Sequence, residues 1–286
     1  MGLHQQAERL EHLDVLDGPG AVVSGVASKL FPHGPVKDLL SGAQLGHALH
    51  PVLTDVPIGL WISASLLDLL GREEDGPAAE RLIALGLAAA APTAASGLSD
   101  WTDTYGGEQR VGLVHAASNT TAIVLFASSL WARKRGRRSL GTILGLAGAG
   151  ATVVGGYLGG HLTLSLGVGV DHTAFEHVPT DWQPALDEQD LAEGAPRKVE
   201  IDGIDVFLLK HEGRISALGN TCSHAGGPLN EGTVEDGCIR CPWHGSVFSL
   251  QDGSVVHGPA RAPQQVYDVR TEGGAVLVRP RPVNNG

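Results

Sequence analysis

Charged side chains are missing from three long stretches of this 286-residue chain. Residues 82–99, 111–132 and 139–170 contain no Asp, Glu, Lys or Arg, although charged residues make up 18% of the sequence and the net charge is −11. An apolar segment of about 20 residues spans the roughly 30 Å hydrocarbon core of a membrane. This uneven distribution argues against an ordinary acidic soluble protein and predicts membrane spans in the middle of the chain.

A fourth, weaker span is predicted close to the first charge-free stretch. It runs from Val52 to Leu70 and carries Asp55 and Asp68 near its ends. The predicted spans are therefore about 52–70, 82–99, 111–132 and 140–162. Two alternatives stay open, namely Ala- and Gly-rich helices buried in a soluble bundle, or fewer than four true spans.

Cysteine is scarce, with three residues in the chain. Two of them open similar motifs in Gly- and Pro-rich loops, Cys222-Ser223-His224 and Cys241-Pro242-Trp243-His244. Together the motifs bring two thiolates and two imidazoles to one site. Tetrahedral zinc is an alternative, but zinc modules usually draw their cysteines from one loop and their histidines from another, and a disulfide is less favoured still. The third cysteine, Cys238, is predicted to be a buried strand residue.

The paired motifs resemble the ligand loops of the Rieske family of 2Fe-2S proteins. The resemblance implies one 2Fe-2S cluster, with Cys222 and Cys241 on one iron and His224 and His244 on the other. It also implies a small antiparallel β domain, which we place at residues 185–284. The surroundings of the cluster are then expected to include Gly226, Gly227, Trp243, Gly245, Ser246, Phe248 and Pro259.

Two departures from high-potential members of the family bear on the reduction potential. Gly227 and Trp243 occupy the positions of the cysteines that form a disulfide in those members, and Phe248 occupies the position of a tyrosine. Ser246 matches a serine that donates a hydrogen bond to the cluster. We therefore expect an intermediate or low potential within the family range of about −150 to +300 mV.

The chain after the second motif is short, with 42 residues following His244. The catalytic subunits of Rieske oxygenases need a large further domain with a 2-His-1-carboxylate iron site, and these residues cannot form one. The sequence therefore predicts a membrane-tethered one-electron carrier rather than a complete enzyme. The alternatives are a Rieske ferredoxin partner of an oxygenase system and a cluster-based redox sensor. Quinol, a cytochrome or a reductase are the candidate electron partners, and no nucleic-acid partner is expected.

The fold class predicted is α + β with two domains. A polar N-terminal lead-in (1–46) precedes the four-helix transmembrane domain (47–170), a linker (171–184) and the β domain. The block that includes His47-Ala48-Leu49-His50-Pro51 resembles an uncharacterised bacterial four-helix membrane family. Strands are predicted at 197–201, 206–210, 215–218, 265–270 and 275–279.

The sidedness of the membrane domain is predicted from a basic loop. Residues 133–138 between the third and fourth spans contain five Lys or Arg, and such loops are cytoplasmic by the positive-inside rule. Four spans return both ends of the chain to the other side. The prediction is a multi-pass plasma-membrane protein, surrounded by lipid, with its β domain on the external or periplasmic face.

Three histidines, His50, His115 and His161, are predicted near the external ends of the spans. Ionisable side chains inside membranes are costly and often bind cofactors or pass protons. These three residues are therefore a candidate pocket for haem b or a quinol. The alternative is structural pairing, with each histidine reaching interfacial water.

Overall fold

The computed structural model describes residues 2–177 and 179–282. Within these residues the chain forms seven α-helices followed by ten β-strands. The chain divides into two compact units. The helical unit contains residues up to Pro32 together with Ala48–Gly169, and the β unit contains His33–His47 together with the chain from Val170 onwards.

The helical unit is built on four long apolar helices. It consists of α1 (Leu3–Glu11), α2 (Asp17–Leu30), α4 (Leu49–Leu70), α5 (Gly76–Trp101), α6 (Gly106–Lys134) and α7 (Arg138–Leu164). By length and composition, the last four are able to cross a membrane. They contain the predicted spans but extend beyond them at most ends, because flanking residues, several of them charged, also adopt helical conformation.

Helices α4 and α6 repeat one another at a constant offset. Three side chains of α4 each contact the side chain 65 residues later on α6: His50 with His115, Trp61 with Phe126, and Asp68 with Arg133. Where a two-fold axis runs between two equivalent elements, each residue near the axis meets its own equivalent. The pairs therefore mark a pseudo-two-fold axis between α4 and α6.

Helices α5 and α7 follow the same symmetry through their glycines. A Cβ at Gly86 of α5 would collide with the Trp61 ring, and a Cβ at Gly148 of α7 would lie 3.0 Å from the Phe126 ring. These two glycines therefore let the two aromatic side chains pack against the helix backbone. The hairpins α4–α5 and α6–α7 are thus two copies of one packing unit.

The β unit contains two antiparallel sheets. Its strands are β1 (Gln183–Asp187), β2 (Arg197–Ile201), β3 (Ile204–His211), β4 (Arg214–Gly219), β5 (Thr233–Glu235), β6 (Cys238–Arg240), β7 (Val247–Ser249), β8 (Val255–His257), β9 (Val266–Glu272) and β10 (Ala275–Pro280). The larger sheet has the order β1-β10-β9-β4-β3-β2, and the smaller one has the order β5-β6-β7-β8. A core that includes Phe207, Leu218 and Phe248 lies against both candidate cysteine ligands.

The predicted lead-in 1–46 is not one segment. Residues up to Pro32 belong to the helical unit, whereas residues 33–47, including the short helix α3 (Pro35–Ser41), belong to the β unit. The β unit also starts before residue 185, since β1 begins at Gln183. The last two residues of the predicted range 185–284 lie outside the described residues.

Candidate metal centre

Two loops of the β unit share one backbone design. In the first, between β4 and β5, the N–H of Cys222 donates to Gly227 O and the N–H of Gly226 donates to Cys222 O, both at 2.8 Å. Gly226 has a φ of 77°, a conformation that glycine adopts without steric cost. In the second, between β6 and β7, the same two bonds join Cys241 to Ser246 (2.8 Å) and Gly245 (3.2 Å).

The loops bring the four predicted ligands together in like pairs. Cys222 and Cys241 are 1% and 2% exposed, and their thiols hydrogen-bond to each other. The His224 and His244 rings lie 4.8 Å apart between centroids. One pair of sulfur ligands and one pair of nitrogen ligands match the two chemically different irons of a Rieske cluster.

A glycine makes room for this arrangement. A Cβ at Gly227 would lie 2.9 Å from Cys241 Sγ and 3.1 Å from the Trp243 ring. Residue 227, predicted to stand where high-potential members have a disulfide cysteine, therefore has no room for a side chain. Any side chain at residue 227 would push the second loop away from the first.

The two thiols are coupled to each other, and backbone amides face both sulfur atoms. The hydrogen bond with Cys241, together with burial, raises the pKa of Cys222, and the same bond lowers the pKa of Cys241 to about 7. The amide N–H groups of the second and third residues after each cysteine also donate to its sulfur. These groups stabilise negative charge on sulfur, and metal binding would displace the proton that the two thiols share.

The His224 imidazole is held in the neutral form that binds metals. Burial lowers the pKa of His224 to about 3, with smaller contributions from repulsion by His244 and Arg261. His224 Nδ1 is buried and has no hydrogen-bond partner in the protein. A metal ligated by this nitrogen would satisfy it, so the residues present match the cluster chemically.

The described residues do not support a mononuclear zinc site. Among them, no group of three or more His, Cys, Asp or Glu side chains is arranged to hold a single metal ion. Zinc in structural sites is bound by four such ligands around one point. The separate cysteine and histidine pairs are better suited to a binuclear cluster.

The loop after β8 covers this site and is bonded to it. Ser246 is fully buried, and its Oγ accepts the N–H of Ala260 at 3.0 Å. Its hydroxyl proton is therefore available to donate elsewhere, as predicted for the cluster. Ser223 Oγ donates to Ala262 O at 2.7 Å. Pro259 lies in this loop, which we call the covering loop (residues 258–263).

Helix α3 anchors the covering loop from the N-terminal side. Asp38 Oδ1 accepts the N–H of Gly258, and Asp38 Oδ2 pairs with His257 Nδ1, both at 2.9 Å. Arg261 Nε donates to Ser41 O at 2.6 Å. The roles of Asp38 and Ser41 were not predicted, because nothing in the local sequence indicates a partner 220 residues away.

Asp38→Ala is expected to loosen the covering loop and shorten the lifetime of the cluster. Residues that support metal ligands typically change metal affinity by about 10- to 100-fold when replaced. We expect the Rieske absorption to decay about tenfold faster in air, with a shifted midpoint potential. Glu272→Ala removes an exposed carboxylate of β9 and serves as the control. Equal decay of both variants would contradict the anchoring role.

The three histidines predicted to form a pocket make different contacts. His50 and His115 face each other with ring centroids 6.3 Å apart. His161 instead pairs with Glu11 of α1 (Nε2 to Oε1, 2.8 Å) and lines a cavity of about 690 Å³ between the ends of α1 and α7. Position along a helix does not fix the direction of a side chain, so the grouping of His161 with the other two histidines stays a prediction.

Comparison with known proteins assigns both units. Residues 181–268 match the Rieske [2Fe-2S] domain, and residues 46–172 match a predicted membrane protein family, DUF2231. The anthranilate 1,2-dioxygenase ferredoxin subunit of Burkholderia cepacia is 36% identical over 100 residues, which cover 34% of this chain and 91% of the relative.

Two further similarities fall in the same region. Apoptosis-inducing factor 3 of Homo sapiens is 37% identical over 91 residues, which cover 32% of this chain but only 15% of that protein's length. Among solved structures, the ferredoxin of carbazole 1,9a-dioxygenase from Nocardioides aromaticivorans IC177 is 28% identical with a TM-score of 0.34. It matches 36% of this chain and 100% of its own.

Proposed function

The chain belongs to the Rieske family of 2Fe-2S proteins, with a DUF2231 membrane domain before its cluster domain, and we propose on this basis that it is a membrane-tethered one-electron carrier. The observation that carries the proposal is the convergence of two buried thiols and two imidazoles in a chain that also has four membrane-length apolar helices. We assign Cys222 and Cys241 to one iron, and His224 and His244 to the other.

The cluster would supply one-electron chemistry at a potential set by its imidazole ligands. The protein residues would control that potential. Amide N–H groups directed at the two sulfur atoms, and the Ser246 hydroxyl, stabilise added negative charge. Phe248 is fully buried and adds no hydrogen bond at the position where a tyrosine would donate one.

Electron exchange with a partner would take place at the histidine edge. Trp243 is 55% exposed, and its ring lies 6.4 Å from the His244 ring between centroids. Exposed tryptophans are enriched where proteins bind one another. We therefore propose that a partner protein, or a quinol at the membrane surface, contacts the protein through Trp243.

A second candidate is the ferredoxin component of an oxygenase system. It is favoured by the similarity to the Burkholderia cepacia dioxygenase ferredoxin subunit, which extends over nearly all of that protein. In this case the electron donor would be a reductase on the cytoplasmic side. The two candidates therefore differ in the side of the membrane that the cluster faces, and we propose the external or periplasmic face.

One experiment tests both the cluster and its side. In right-side-out vesicles that contain the full chain, dithionite, which crosses membranes slowly, should produce the electron paramagnetic resonance signal of a reduced Rieske centre within seconds. A signal that needs detergent would contradict the external face and favour the oxygenase partner. Titration of the same sample should give a midpoint in the lower or middle part of the range of about −150 to +300 mV, and a value near the upper limit would contradict this expectation.

A further inference from the structure

The pseudo-two-fold axis of the helical unit carries three residue pairs, and one of them is unlike the others. Asp68 and Arg133 are opposite charges that attract each other, and Trp61 and Phe126 stack at 4.6 Å. The remaining pair consists of two identical residues, His50 and His115. Two neutral imidazoles gain little from each other, so the identity of this pair calls for a different explanation.

Both imidazoles are fixed by the same kind of hydrogen bond. His50 Nδ1 lies 3.0 Å from Thr93 O on α5, and His115 Nδ1 lies 2.8 Å from Gly155 O on α7. A carbonyl oxygen only accepts, so each Nδ1 carries the proton and each Nε2 carries the lone pair. At His115 this lone pair faces Asn119 Nδ2 at 3.1 Å, a donor that a bound metal would displace. Histidines that ligate metals through one nitrogen typically donate the other N–H to a carbonyl in this way.

Equivalent glycines make room for the two rings. Gly97 follows Thr93 by one helical turn, and a Cβ there would lie 2.5 Å from His50 Cε1. Gly159 follows Gly155 by one turn, and a Cβ there would lie 3.1 Å from His115 Cε1. The carbonyl and the glycine one turn later thus form a socket for the imidazole, and this socket is built twice.

The separation of the rings matches two ligands on opposite sides of one metal. A metal–nitrogen bond of about 2 Å, plus roughly 1 Å from the nitrogen to the ring centre, places two such rings about 6 Å apart. The observed centroid distance is 6.3 Å, with an angle of 81° between the ring planes. The separation of the two rings therefore fits a single metal between them.

The remaining ligands of such a metal would have to come from a non-protein group. The described residues hold no group of three or more His, Cys, Asp or Glu side chains suited to one ion, so a bare zinc or copper ion would lack ligands. A porphyrin supplies four nitrogens and needs only two axial imidazoles. Helices α4–α7 contain no cysteine that could attach it covalently.

We propose that His50 and His115 are the axial ligands of one non-covalently bound haem of the b type. This site is independent of the proposed function of the β unit. It gives the helical unit a one-electron group of its own on the pseudo-two-fold axis. It also explains why the two residues of this pair are identical, whereas the residues of the other two pairs on the pseudo-two-fold axis differ.

The test uses the full chain purified in detergent from cells supplied with a haem precursor. The pyridine haemochrome assay should give about one haem per chain, with the sharp visible bands of a low-spin ferrous haem. His50→Ala and His115→Ala should each lower the haem content at least about tenfold. His161→Ala alters a histidine that pairs with Glu11 instead, and it should retain haem.

Two further variants keep the test decisive. His50→Met replaces an imidazole with a thioether ligand, so it should retain haem with a changed spectrum and a higher potential, which a purely structural role would not produce. Cys241→Ser should lose the cluster but retain haem, which separates this proposal from that for the β unit. A wild-type protein without haem after precursor feeding and haemin addition, or with only a bare metal ion, would overturn the assignment.

Discussion

Replacement of Cys241 by serine is expected to remove both irons of the cluster, whereas replacement of Cys238 by serine is expected to leave both in place. The two cysteines lie three residues apart, since Cys238 begins β6 and Cys241 directly follows its last residue. Cys241 is buried, and its thiol meets that of Cys222. The Cys238 thiol instead lies 3.7 Å from Asp236 O and is half-buried on the smaller sheet.

The measurement is the iron and acid-labile sulfide content of the full-length protein, with the Rieske resonance signal as a second readout. We expect two irons and two sulfides per chain in the wild type and in Cys238→Ser. We expect neither in Cys241→Ser, while the helical signal in circular dichroism is retained. Zinc in place of iron in the wild type, or retention of the cluster in Cys241→Ser, would contradict the assignment.

The second large effect is expected at the buried ion pair of the helical unit. The side chains of Asp68 and Arg133 are 2% and 1% exposed, and Arg133 also donates to Ser129 Oγ at 3.2 Å. Removal of one partner of a buried ion pair leaves an uncompensated charge and typically costs about 3–5 kcal/mol. Asp68→Ala is therefore expected to lower the thermal stability of the detergent-solubilised protein sharply.

The symmetry of the unit provides the control for this prediction. Because residues 68 and 133 are equivalent about the pseudo-two-fold axis, the double variant Asp68→Arg with Arg133→Asp exchanges the charges between equivalent positions. It should recover most of the stability lost in either single variant, as measured by circular dichroism melting in detergent. No recovery would argue that the two positions have different surroundings and would weaken the duplication.

The cluster domain could be predicted from the sequence, because the ligands within each loop of a metal site lie only a few residues apart. The two motifs predicted four ligands, which the structure brings together in two pairs, and composition predicted the four long helices. Strands such as 197–201 and 275–279 were predicted close to their observed bounds, because short β-branched runs between turns define them. Confirmation of the Rieske and DUF2231 assignments came from the same features.

The duplication of the helical hairpins was present in the sequence but hidden by divergence. His50 and His115 are the one identical pair at the axis, whereas Trp61 faces Phe126 and Asp68 faces Arg133. Asp68 and Arg133 carry opposite charges, so a comparison by residue type does not align them as equivalents. Opposite charges nevertheless attract each other across the pseudo-two-fold axis. Comparison of α4 with α6 at an offset of 65 residues would have revealed the repeat.

The contact between Asp38 and the covering loop links the biogenesis of the two units. Asp38 leaves the ribosome before helices α4–α7, and Gly258 leaves it after them, so their hydrogen bond forms only after all four helices have been synthesised. If α4–α7 all insert, both residues emerge in the same compartment. If one helix fails to cross, the two residues are separated by the bilayer and the covering loop loses its anchor. On the proposed topology, completion of the cluster domain would depend on the insertion of all four helices.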